Sequence, residues 1–244
     1  MSVTKTAASG RLCNQIIRNI AVSLIAEKYN LRVDYINKHL IEQLGITLFS
    51  GENEYTNTIP LTDDNYFSVY NCENLSNNLN PNNNYFQTKE ITNFLHNYLH
   101  SDAIKSRIIN ANPYKERYNN NNDVLLHIRL TDVARFNPGL NYYVNALKGI
   151  TYDNIYITTD QPSHTIINSL LQLYPTAKII HETEVATLQL SSTCKHIILS
   201  HGSFSAIIGY LAFFSTVYYP EYELGKIWYG DMFSINNWIK LSLH

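Results

Sequence analysis

Apolar residues recur at helical spacing near the start of the chain. Leu12, Ile16, Ile20 and Leu24, joined by Ile17, Ala21 and Ile25, form a stripe that predicts a long amphipathic helix. Residues 2–7 before it read as a weak strand, 32–36 after it as a second strand, and 38–44 as a short helix ended by Gly45. From about 46 to 85 the pattern is irregular and rich in Asn, and a helix is expected from about Lys89 to Ile109. Beyond residue 123 the periods alternate. Buried-strand runs at 124–129, 154–159, 177–180, 196–199 and 216–219 are separated by helical stretches at 142–147, 162–174, 185–194 and 204–214. Strands joined by crossovers of this kind imply a parallel sheet.

The expected fold class is therefore α/β, with two Rossmann-like lobes facing a cleft. The lobes are expected at 1–118 and 123–244, with a Rossmann-like unit from about 123 to 235 and a hinge at Asn112-Pro113 and the Asn run 119–122. Asn runs here and at Asn82-Asn83-Asn84 read as exposed loops.

Composition narrows the chemistry. Of 244 residues, 45% are apolar and 16% charged, enough to bury a core. Eighteen basic against twenty acidic residues leave no excess for a nucleic-acid backbone. No apolar run is long enough for a membrane span, and the first residues lack a signal-peptide core, so a cytoplasmic location is expected. Cys13, Cys72 and Cys194 suit a reducing compartment and form neither a disulfide framework nor a zinc motif. There is no HExxH and no DxD. Asp63-Asp64 reads as solvated loop, and Asn74 opens a lone glycosylation sequon. Trp228, Trp238, Tyr218, Tyr219, Tyr222 and Tyr229 read as core or lobe-bridging aromatics.

Four short stretches carry candidate chemistry. In Gly10-Arg11-Leu12-Cys13-Asn14-Gln15, a strand gives way to a helix. Arg11, Asn14 and Arg18 share a face there, suited to an anion at the helix start or simply to water. In His127-Ile128-Arg129-Leu130-Thr131-Asp132, at a strand's carboxyl end, His127 and Arg129 point to one side of the sheet. Arg129 could grip a diphosphate, with Asp132 orienting it or accepting a proton; a buried structural pair fits the same pattern. Asp160, ending the next strand, suits either a ribose contact or the N-cap of the helix after Pro162. His201-Gly202-Ser203-Phe204-Ser205 is a phosphate cradle or a plain capping turn.

Taken in order, Gly10-Arg11-Leu12-x-Asn14-Gln15, His127-x-Arg129-x-x-Asp132 followed by Tyr142-Tyr143, and Cys194-Lys195-His196 before Ser203-Phe204-Ser205 resemble the α-1,2-fucosyltransferase family. They also resemble the wider superfamily of GDP-fucose-dependent enzymes that shares the HxRxxD stretch. Tyr85-Phe86-Gln87 is similar to the motif before that family's linking helix. The resemblance implies a compact two-lobed GT-B-type fold and an inverting transfer, without metal or cofactor, of a sugar from a GDP-sugar co-substrate to a glycan acceptor. It implies Arg129, Asp132 and Asn14 as catalytic residues. Arg11, His127, Arg129, Asp160, Ser203, Phe204 and Ser205 would be donor-binding.

The chain departs from the family at Cys13 (usually Gly), Leu130 (usually a second Arg), Thr131 (usually Gly) and Ala206-Ile207 (usually Trp-Trp). These departures leave room for another nucleotide-sugar, or for a member that binds without turnover.

Overall fold

The computed structural model describes residues 3–82, 84–132, 134–222 and 230–243. Of the features read from sequence, Ser2, Asn83, Trp228 and Tyr229 lie outside them. Two compact units result. Unit 1 runs to Arg107 and takes in residues 230–232; unit 2 holds the rest from Ile108 onward. The division falls inside a helix.

Unit 1 contains β1 (Thr4–Lys5), α1 (Leu12–Tyr29), β2 (Val33–Asp34), α2 (Lys38–Glu42), β3 (Thr58–Pro60), α3 (Tyr66–Tyr70), β4 (Asn78–Asn80) and α4 (Lys89–Leu99). β1 pairs with β2 and β3 with β4, both parallel. Side-chain oxygens take over where a ladder would continue. Thr4 Oγ1 accepts from the Leu79 N–H at 2.9 Å, Thr6 Oγ1 from that of Ile36 at 2.9 Å, and Ser50 Oγ both accepts from and donates to Val33. That substitution explains why these strands read so weakly in sequence.

α1 is not the one-sided surface helix its stripe predicts. From Leu12 to Ala26 only Asn14 escapes burial. Its buried polar side chains are instead tied to surrounding loops: Asn19 donates to Ile36 O (2.8 Å), Ser23 accepts from Phe49 N–H (2.8 Å), and Gln15 donates to Gly10 O (2.9 Å). The region expected to be irregular holds β3, α3 and β4. The expected long helix is two, α4 and α5 (Asp102–Ala111), because Ser101 closes α4 through Oγ to Tyr98 O (2.7 Å).

Unit 2 continues with β5 (Val124–Ile128), α6 (Leu140–Lys148), β6 (Ile155–Thr159), α7 (Thr165–Leu173), β7 (Lys178–Ile179), α8 (Glu184–Ser191), β8 (His196–Ile198), α9 (Ser203–Tyr210), β9 (Thr216–Pro220) and β10 (Ile239–Leu241). One parallel sheet runs in the order β7-β6-β5-β8-β9-β10. Counted within the unit this is 3-2-1-4-5-6, the Rossmann order, and its switch point lies between β5 and β8. β5 is buried along its whole length, as a central parallel strand must be. Val124, Leu126 and Ile128 join Tyr142, Tyr143, Leu147, Ile157, Ile167 and Leu170 in the core on one face of the sheet. β10, unread in the sequence, extends the unit beyond residue 235.

The segment expected to be a hinge is pinned within unit 2. Buried Asn112 donates to Gln189 O (2.9 Å) and Asn121 to Thr193 O (2.9 Å), while Arg117 pairs with Asp123 (2.8 Å). Here Asn is a structural residue, its amide replacing backbone partners, and not loop filler. Among the described tail aromatics, Tyr219, Tyr222 and Trp238 cluster around Phe233.

Candidate functional site

The switch point collects most of the candidate residues of unit 2. His127 is the last residue but one of β5 and is buried; Arg129 follows where the strand stops. The Arg129 N–H donates to Ser200 Oγ (3.1 Å), and its carbonyl accepts from Asn137 Nδ2 (3.0 Å). Neither Ser200 nor Asn137 was singled out from sequence. The signal for Asn137 was the Asn-Pro-Gly turn, which its side chain closes by accepting the Gly139 N–H (2.9 Å).

The Arg129 side chain, 17% exposed, lies between two carboxylates. Nη2 and Nε donate to Asp132 Oδ1 at 2.6 and 3.0 Å, and Nε lies 3.0 Å from Asp160 Oδ2. Nη1 makes no hydrogen bond among the described residues. Asp160 also accepts from Leu130 N–H (2.8 Å) and Thr131 Oγ1 (2.5 Å). Burial alone would raise the Asp160 pKa, but the Thr131 and Leu130 hydrogen bonds and the Arg129 charge together lower it.

Asp160 is thus the organiser of the 129–131 turn. It is not the N-cap of α7; that place belongs to His164, whose Nδ1 accepts from Ile166 N–H (3.2 Å). The departures at 130 and 131 find their use here. Leu130 is buried in the core, and the Thr131 hydroxyl satisfies Asp160.

His127 turns toward α9. Its Nδ1 lies 2.5 Å from Ser205 Oγ and 3.3 Å from Ser200 Oγ, and its ring stacks on Phe204 with centroids 5.4 Å apart. Ser205 Oγ also accepts the Ser200 N–H (3.2 Å), so the two hydroxyls and the ring form one buried network. Burial, reinforced by the Arg129 charge, lowers the His127 pKa to about 3.

α9 starts after Gly202 at φ 94, a conformation suited to glycine, and the N–H groups of Ser203, Phe204 and Ser205 have no carbonyl within their own helix. His201 beside them is buried. Its pKa is lowered to about 4 by burial, against a hydrogen bond to the Phe136 carbonyl, and its Nδ1 has no partner.

Arg11 and Asn14 belong to unit 1. Gly10, at φ 75, precedes α1, and a Cβ there would sit 2.4 Å from Asn14 Nδ2, so the position needs glycine for space as well as conformation. Arg11 is exposed at the N-cap; Asn14 Oδ1 accepts from Gln87 Nε2 (2.8 Å). Cys13 is buried, so its departure from glycine puts no side chain over the helix start.

Arg18, expected on the same polar face, is wholly buried. It donates to Asn84 O (2.9 Å), Ala7 O (3.0 Å) and Ser9 O (3.3 Å), and burial lowers its pKa. Asp63 is likewise no solvated loop residue. It is half-buried and accepts the Phe86 N–H at 2.8 Å, and burial raises its pKa.

Among the described residues no group of three or more His, Cys, Asp or Glu is placed to hold a metal ion, and no helix is long and apolar enough to cross a membrane.

No family model matches the chain, and no curated protein does. Among solved structures it is similar to a fucosyltransferase. This is NodZ from Bradyrhizobium, at 10% identity and a TM-score of 0.43 over 86% of this chain and 92% of that one.

Proposed function

We propose that the chain is a glycosyltransferase that takes its sugar from a nucleoside-diphosphate donor, GDP-linked by the motif resemblance, and transfers it to a hydroxyl of a glycan. Fucose is the default sugar, and another hexose on the same scaffold is the alternative. The observation that carries the reading is the place of Arg129. It stands at the carboxyl end of β5, beside the switch point of a Rossmann-ordered sheet, with its N–H on Ser200 in the loop leading to α9 and its guanidinium between Asp132 and Asp160. Ligands of such sheets bind in that crevice, and an arginine fork with helix N–H groups suits a diphosphate.

In the proposed step the acceptor oxygen attacks the anomeric carbon from the face opposite the leaving group. The bond from that carbon to the phosphate oxygen breaks, and the nucleoside diphosphate departs with the electron pair. Arg129 and the α9 N–H groups stabilise its growing charge. The acceptor proton passes to a carboxylate, and Asp132 is the candidate, being the more exposed of the two beside Arg129 (56% against 20%). No metal is assigned to the step. Asp160 and Ser200 hold the turn, and His127, neutral and buried, ties β5 to α9. A protein that binds donor without turnover is the competing reading, favoured by Leu130 standing where a second arginine is usual.

Cleavage of GDP-fucose, with and without added glycan, tests the proposal. The wild-type protein is expected to release GDP, and Arg129→Ala to lower the rate a hundredfold or more, as when one transition-state charge stabiliser is lost. Near-normal cleavage by Arg129→Ala would overturn the assigned role; GDP binding with no cleavage in wild type would favour the binding-only reading.

A further inference from the structure

The segment Tyr85-Phe86-Gln87 of unit 1 is held in a conformation its residues do not favour. Phe86 has φ 53, left-handed backbone that a bulky L residue rarely adopts. The surroundings enforce it. The Phe86 ring is buried against Tyr66 (centroids 5.6 Å apart), and its N–H is bound by Asp63. Gln87 is fixed at both ends, its side chain on Asn14 and its carbonyl accepting the Asp231 N–H (2.8 Å).

While Phe86 enters the core, Tyr85 stands out, 40% exposed. Beneath it lies Arg18, whose guanidinium carbon is 5.3 Å from the Tyr85 ring centroid. Arg18 Nη2 has no hydrogen-bond partner, which leaves the ring face as its neighbour. A fully buried cation thus covers one face of the ring, and the accessible surface lies on the other face and the edge. The Tyr85 hydroxyl has no hydrogen-bond partner among the described residues.

We propose that the open face of Tyr85 is a stacking platform for a pyranose ring, with the Asn14 side-chain amide as its adjoining hydrogen-bonding group. Asn14 and Arg18 are one turn apart on the same face of α1. The Asn14 oxygen is taken by Gln87, while its Nδ2 makes no hydrogen bond among the described residues. A pyranose presents one face of C–H groups and a rim of hydroxyls. An aromatic face bordered by uncharged amides matches both.

Single exposed aromatics are common on protein surfaces. This one differs in its mounting: a left-handed Phe86 and a buried arginine fix the ring, so little freedom is left to lose on binding. The choice of a sugar as occupant rests on the transferase reading.

The test is saturation-transfer NMR and chemical-shift titration of the full chain with methyl β-galactopyranoside, without nucleotide. Magnetisation is expected to reach the sugar's ring C–H protons. Tyr85→Ala should weaken binding about tenfold, while Tyr85→Phe and Tyr85→Trp stay within about threefold of wild type. No transfer in wild type, equal binding by Tyr85→Ala, or Tyr85→Phe binding no better than Tyr85→Ala would overturn the platform. GDP is titrated into the same samples, where Tyr85→Ala should leave its affinity unchanged. Sugar binding with no GDP binding would count against the transferase reading alone; GDP binding with no Tyr85-dependent sugar binding would remove the platform alone.

Discussion

Asp132 and Arg129 set a condition on any anionic ligand. The carboxylate bonds the guanidinium through Nη2 and Nε, the edge a diphosphate would use for a two-pronged grip. In the proposed step a donor would therefore compete with Asp132 for the guanidinium, and the displaced Asp132 would take the acceptor proton. Because Asp132 is more than half exposed, water screens the pair and the competition is modest. Asp132→Asn is expected to tighten GDP binding about two- to fivefold while lowering transfer at least about tenfold. Titration calorimetry beside a rate assay checks both. Weaker GDP binding in the variant would mean that Asp132 holds the arginine in place for the ligand. The neighbouring Asp160 differs in kind, since its contacts with Arg129, Leu130 and Thr131 lie within the turn and its loss would act through Arg129.

His127 links two elements, the end of β5 and the first turn of α9, through Ser205 and Phe204. The unfolded chain titrates this group near the ordinary value of about 6.5, whereas the folded one resists protonation down to about 3. Above pH 6.5 both states carry the neutral ring. Below it the unfolded chain gains a proton the folded chain refuses, so stability falls as pH drops, by roughly 1.4 kcal/mol per pH unit for this group. His96 and His201, both lowered to about 4, act in the same direction. The urea midpoint should fall between pH 7 and pH 5, and less steeply in His127→Gln. An unchanged midpoint would contradict the neutral clamp.

Elements with strong periods were legible in the sequence. The five strands 124–129 to 216–219 and their crossovers stand where alternation and Pro162 and Pro175 put them. The polar residues of α1 misled, because Arg18, Asn19 and Ser23 are buried as anchors for loops that periodicity does not see. β3, β4 and β10, of three residues each, are too short to show a period. Ser200 and the Arg18–Tyr85 pair leave no local signal in the sequence, because each gains meaning only from a partner about seventy residues away.

At the scale of the molecule, two units of different construction share one chain. Unit 2 is a Rossmann-ordered sheet, with His127, Arg129 and Ser205 at its switch point and Asp160 at the end of the neighbouring β6. Unit 1 wraps strand fragments around a buried helix and carries Arg11, Asn14 and Tyr85. The claim on which the account turns is that Arg129 grips the diphosphate of a guanine nucleotide. Thermal unfolding with GDP, UDP and CDP, in wild type and Arg129→Ala, tests it most directly. A ligand at a hundred times its Kd adds about 2.7 kcal/mol, which raises the Tm of a chain of this size by roughly 5 to 10 °C. GDP should give such a rise in wild type, UDP and CDP much less, and Arg129→Ala should lose most of it. A preference for UDP or CDP, or an undiminished GDP shift in Arg129→Ala, would contradict the account.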